Sequence, residues 1–211
     1  MEIIVNDMAI PVWSVGILML IVVLVILWHR RHNLSYLFFF LIFWVYMMFS
    51  LDKVFFPIQV NGEYVDVMRQ IPLMSQINLV PFYFGQYPMT VAGFIGIINN
   101  IVLTVPFGFG LNFIMRLKTR NFIWLAFALG LGFEITQLII SLVLRYPYRT
   151  VDVNDVLMNA TGVLLGYGLF RIFALLYLAI TKHFEIKHEG LSAYIYDVAS
   201  RVQTAIEVKN A

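Results

Sequence analysis

Phe122-Ile-Trp-Leu-Ala-Phe-Ala-Leu-Gly-Leu-Gly-Phe-Glu-Ile-Thr-Gln-Leu-Ile-Ile-Ser-Leu-Val-Leu144 holds a single charged residue, Glu134, in 23 positions. A run of about 18 or more apolar residues reads as a transmembrane helix, because about 20 residues at 1.5 Å each cross the hydrocarbon core. Four further blocks of the same kind occur, at Pro11–Trp28, Leu34–Leu51, Ala92–Met115 and Val156–Ile180. The chain therefore reads as an all-α, polytopic membrane helix bundle with about five transmembrane helices. Composition agrees: 61% of residues are hydrophobic, 12% are charged, and the mean hydropathy is +0.85. A soluble domain carries about 25% charged residues, so this chain lacks the charge to cover a water-facing surface.

Two short turns set the expected orientation. His29-Arg30-Arg31-His32-Asn33 and Arg116-Leu117-Lys118-Thr119-Arg120 are basic, lie an even number of spans apart, and belong in the cytoplasm. The N-terminus is then outside and the C-terminus inside, where Lys182 and Lys187 follow the last span. Glu2 and Asp7 stand where a signal peptide would carry basic residues, so the first apolar block is expected to be a permanent span. Residues 1–180 are read as one transmembrane domain and 181–211 as a cytoplasmic amphipathic tail. In that tail Leu191, Ile195, Val198, Val202 and Ile206 make one apolar stripe, as expected of a helix lying on the inner leaflet or docking a partner. Residues 52–91 and 145–155 face outward, and Asn61-Gly62 in the first is a hairpin signal.

Much chemistry is excluded. The chain has no cysteine, which removes disulfides, thiol nucleophiles and Cys-ligated metals. A net charge of +2 gives no reason to expect a nucleic-acid partner. All four histidines, His29, His32, His183 and His188, fall on the cytoplasmic side, so a His-based triad or His-ligated metal on the outer side fails.

A carboxylate inside a span costs about 2.5–3.5 kcal/mol on insertion scales, so it is usually paired, inward-facing or functional. Glu134 is the clear case, with Gln137 and Ser141 on the same helix face. The third span brings Asn99, Asn100 and Thr104 to a similar depth. Asp152, Asp155 and Asn159 share a face at the start of the fifth, with Arg149 just before them as the candidate counter-ion of Glu134 or Asp155. Such groups are either hydrogen-bonding glue between helices or the lining of a ligand pocket. Their collection in the outer half of the bilayer favours the pocket. Glu134, Asp152 and Asp155 also offer oxygen ligands for Mg²⁺ or Ca²⁺, although nothing in their spacing demands a metal. Gly162 and Gly166 read as a close helix contact, and Pro106 as a kink in the third span.

The same residues resemble a known family. Asn78-Leu-Val-Pro-Phe82, Asn100 through Val105-Pro-Phe-Gly108, Glu134-Ile-Thr-Gln137 and Arg149-x-x-Asp152-x-x-Asp155-x-x-x-Asn159-x-x-Gly162 are similar, in order, to the blocks of the VanZ-like family. The resemblance covers about Asn78–Tyr167 and adds Asn78 and Pro81 to the candidate residues. It implies a multi-pass protein of a bacterial plasma membrane, linked to the cell envelope, in a family associated with low-level teicoplanin resistance. It supplies no reaction. Three readings follow. The first is a pocket that binds or shields an envelope lipid or lipid-linked cell-wall precursor. The second is an enzyme acting on such a lipid, with Glu134 or Asp155 as general base. The third is a scaffold for another membrane protein or a small transporter.

Overall fold

The computed structural model describes residues 9–84 and 91–210, and the flank carrying Glu2 and Asp7 lies outside them. The chain runs α1 (Ala9–His29), α2 (Leu34–Phe55), α3 (Glu63–Met68), β1 (Ile77–Asn78), α4 (Val91–Gly110), α5 (Thr119–Leu144), β2 (Val151–Asp152), α6 (Val153–His183) and α7 (Gly190–Asn210). Four helices, α2, α4 with the turn after it, α5 and α6, are long and apolar enough to cross a membrane; α1 adds a shorter apolar stretch, Trp13–His29. A helix apolar on every side has no face for water. Ile17, Leu18, Ile21 and Val25 of α1 and Ile135, Ile139 and Val143 of α5 are accordingly exposed on the outside of the bundle.

The core is the pair α4–α6, with α5 packed on α6. Small residues make that possible. A Cβ placed on Gly108 would come within 1.9 Å of the Val163 carbonyl oxygen, and one on Gly166 within 2.0 Å of that of Val105. Phe107, Phe122, Ala126, Ala160 and Val163 fill the space between the three helices. The helix pair is also tied by Thr104, whose hydroxyl donates to Asn159 O at 2.8 Å across the α4–α6 contact. Interhelical bonds in membranes are worth about 0.6 kcal/mol, up to about 1.7. Thr104→Val is expected to lower the thermal midpoint in detergent by that small increment. An unchanged midpoint would remove the bond from the account of α4–α6 association.

α4 continues unbroken through Pro106, which leaves the Val102 carbonyl without its helical donor. α1 is held only at the edge, where Trp44 Nε1 donates to Gly16 O at 3.1 Å.

Three expectations are corrected. Asn61-Gly62 makes no hairpin: Gly62, at φ 105°, leads into α3, whose first turn carries Glu63 and Asp66, acidic residues that favour a helix N-terminus. The two short strands lie elsewhere, pairing in parallel as Ile77 with Val151 and Asn78 with Asp152. The tail stripe turns onto the bundle: Val198 and Ala199 are buried, and Ile195 and Val202 pack beside Phe170 and Phe173. Tyr194 of α7 donates its hydroxyl to Phe113 O, and burial pushes its phenol above the usual pKa, which keeps it a donor. The fifth span also runs further than expected. Tyr167 and Thr119 hydroxyls meet at 2.9 Å at the level of the basic turn before α5, and α6 continues past that level to His183 with α7 folded against it.

Candidate functional site

Glu134 sits twelve residues beyond Phe122, about 18 Å at 1.5 Å per residue, and ten residues short of Leu144. The segment after α5, expected to stay outside, folds back down alongside that helix. Tyr148 N–H donates to Ser141 Oγ at 3.2 Å, and Asp152 N–H donates to Glu134 Oε2 at 2.8 Å. Between those two bonds the chain descends seven residues of α5, about 10 Å. Irregular backbone at membrane depth is tolerated where it is buried in protein or lines a water-filled cavity. Here it does both.

Side chains at one level hold the descending segment. Tyr146 and Tyr148 donate their hydroxyls to Gln59 O and Phe55 O. The Asp152 carboxylate caps α6 by accepting from Asn154 N at 2.7 Å, and accepts from Asn78 Nδ2 at 3.0 Å. Asn154, 2% exposed, accepts from Phe82 N–H at 2.6 Å and donates to Tyr83 O at 2.9 Å. Asn78 donates to the same Tyr83 carbonyl and accepts from Val80 N–H. These bonds pin the loop 78–84 against the start of α6. That loop nevertheless presents Leu79, Val80 and Phe82 outward, each exposed.

The result is a cavity of about 1140 Å³ between α2, α4, α5 and α6, bordered by residues of the loops 78–84 and 145–152. Asn78, Asn100, Glu134, Gln137, Arg149, Asp152, Asp155 and Asn159 all line it, while Pro81 stands exposed on the loop 78–84. Asn78 and Asp152 belong to its rim, where their polar atoms secure the loops. Asn100, Glu134, Gln137, Asp155 and Asn159 line it deeper, and Arg149 sits in its wall. Asn100 and Asp155 are close enough to interact through their side chains, and Gln137 Nε2 reaches Val54 O at 3.4 Å. Asn159 is 3% exposed, and its Oδ1 is buried without a hydrogen-bond partner. An unsatisfied buried acceptor costs about 1–3 kcal/mol, which a donor on a bound molecule would recover.

Arg149 is not the counter-ion of Glu134 or Asp155. Its Nε donates to the Tyr148 hydroxyl at 3.2 Å and its Nη2 to Phe56 O at 3.4 Å, and among the described residues it forms no ion pair. The reason is the capping geometry: Asp152 N–H takes the place beside Glu134 that the guanidinium was expected to fill. Among the described residues no three His, Asp or Glu side chains come together as metal ligands, Glu134, Asp152 and Asp155 included.

Lys53 and Asn154 are among the lining residues that were missed. Lys53, read as a charge of the outer loop, stands in the last turn of α2 and borders the cavity. Asn154 lies off the face shared by Asp152, Asp155 and Asn159, and its partners are about seventy residues away, so no local signal marked it.

The fold and the cavity define a polytopic helical membrane protein with a polar chamber inside the bundle. A family model described as VanZ/LLP1 matches residues 15–174, well over half of the chain. The protein belongs to the VanZ-like family. The match reaches beyond the stretch carrying the motifs and takes in α2 and most of α1, so Lys53 also falls within it. Comparison with curated proteins and with solved structures returns no match.

Proposed function

We propose that the chamber holds or shields the polar headgroup of an envelope lipid or lipid-linked cell-wall precursor, entering from the outer leaflet of a bacterial plasma membrane. Occupation of that kind would also account for low-level teicoplanin resistance, because a lipoglycopeptide places its acyl chain in the same leaflet. The observation that carries the reading is the chamber itself: about 1140 Å³, slightly above the roughly 300–1,000 Å³ typical of small-molecule sites, with polar groups from four helices. The basic turns at the opposite end of the bundle support an outward-facing mouth. The exposed apolar loop at 79–82 supports lateral contact with lipid.

The test is teicoplanin susceptibility of a Gram-positive host. It would carry the wild-type protein, Glu134→Gln, Arg149→Gln or Asp155→Asn at matched membrane levels. Wild type is expected to raise the inhibitory concentration, and each near-isosteric change to return it toward the host value. Equal protection by all three variants would reduce the chamber to a packing feature. No protection by wild type would overturn the drug-linked part of the reading.

A further inference from the structure

The geometry points to a phosphate as the group that the chamber recognises first, held between Lys53 and Arg149, an assignment that rests on the chamber being a headgroup site. Both cations border the same cavity. Among the described residues neither has a carboxylate within 4.0 Å, although the chamber contains three. The acidic groups are engaged or deeper. Asp152 is occupied with Asn78 and the α6 cap, and Glu134 with the Asp152 amide.

Arg149 is meanwhile positioned by neutral groups. Its guanidinium lies 5.5 Å from the centre of the Tyr148 ring, a cation–π distance. The Tyr148 hydroxyl in turn donates to Phe55 O at the end of α2. An arginine in that frame keeps three of its five N–H donors, two on Nη1 and one on Nη2, for a bidentate contact, which phosphate matches. A half-buried cation is costly to hold away from water, and an anionic ligand offsets that cost.

The lower wall asks for the opposite. Glu134, Asp155 and the unpartnered Asn159 Oδ1 are acceptors. They repel an anion and favour hydrogen-bond donors such as hydroxyls. The ligand class is therefore a phosphate-linked lipid whose headgroup carries hydroxyls beyond the phosphate. Its phosphate would sit at Lys53 and Arg149, its hydroxyls would face the acceptors, and its chains would pass the apolar loop into the leaflet.

Native mass spectrometry of the full-length protein in detergent tests this with three probes. Phosphatidylglycerol has both phosphate and hydroxyls, dioleoylglycerol lacks the phosphate, and glycerol 1-phosphate lacks the chains. Wild type is expected to retain phosphatidylglycerol and to release dioleoylglycerol. Lys53→Gln and Arg149→Gln are each expected to weaken retention roughly tenfold, the effect of about 1.4 kcal/mol from one charge-assisted bond. Lys53 is exposed, so its replacement leaves the fold in place should Arg149→Gln disturb it. Equal retention of phosphatidylglycerol and dioleoylglycerol, or no loss in either variant, would overturn the phosphate assignment while leaving a lipid chamber. Glycerol 1-phosphate bound as tightly as the lipid would overturn the lipid source. Retention of no probe by wild type would overturn the headgroup reading itself.

Discussion

Gly162→Leu is expected to abolish accumulation of folded protein in the membrane. A Cβ at Gly162 would stand 2.1 Å from both Ile101 O and Thr104 Oγ1. Gly108 and Gly166 face the same obstacle, with main-chain oxygens of the partner helix at 1.9 and 2.0 Å. Overpacking by a methylene in a core costs about 1–3 kcal/mol when side chains can yield. Here the neighbour is helical backbone, which does not yield, so α4 and α6 must separate. Separation breaks the Thr104–Asn159 bond and moves Asn100 and Asn159, both lining the chamber. Gly168→Leu is the control, since nothing lies within 4 Å of a Cβ there. Membrane-fraction abundance and the thermal midpoint in detergent are the measurements. Normal levels of Gly162→Leu, or equal loss of Gly168→Leu, would contradict the packing account.

Asn154→Ala is expected to give the second-largest loss, and to open the loop 78–84 before the bundle unfolds. The Asn154 amide satisfies Phe82 N–H and contributes to Tyr83 O, both far along the chain. A buried main-chain group left without a partner costs about 1–3 kcal/mol; Phe82 is itself exposed, so water takes up part of that loss. Tyr83 O keeps its bond from Asn78, so the orphaned Phe82 N–H dominates. Asn99→Ala, at an exposed position on the same chamber, is expected to leave stability near wild type. Limited proteolysis across residues 79–84, read beside the thermal midpoint, separates the two cases. An Asn154→Ala protein with an intact loop and an unchanged midpoint would show that the Asn78–Asp152 contact holds the loop alone.

The helices were legible because the membrane imposes a one-dimensional rule. Every span must satisfy its own backbone and be apolar for about 20 residues, so α2, α4 and α5 appear near their expected places without knowledge of any partner. The polar candidates were legible for a related reason. Glu134, Asn100 and Asp155 each violate that rule, and helical periodicity alone sorts them onto faces. The Gly162 and Gly166 pair showed itself by spacing, and the structure gives it a backbone contact.

What lay beyond the sequence is the region between the helices. Asn61-Gly62 looked like a hairpin because turn residues are read locally, whereas the pairing that exists joins Ile77–Asn78 to Val151–Asp152 across the bundle. The descent of 145–152 depends on Ser141 and Glu134 offering acceptors at two heights, a relation no periodicity encodes. Arg149 looked like an ion-pair partner because charge is visible in a sequence and a main-chain amide is not. The amide of Asp152 reaches Glu134, and the guanidinium is left to Tyr148 and Phe56. The sequence by itself determined the apolar character and approximate places of the spans and which residues had to avoid lipid. Only the tertiary structure decided that these residues line one chamber, that irregular backbone borders it, and that its cations stand apart from its carboxylates. Those outcomes follow from contacts that no single helix contains, from Glu134 with Asp152 to Asn154 with Phe82, where the geometry of four helices must be solved together before any one hydrogen bond is settled.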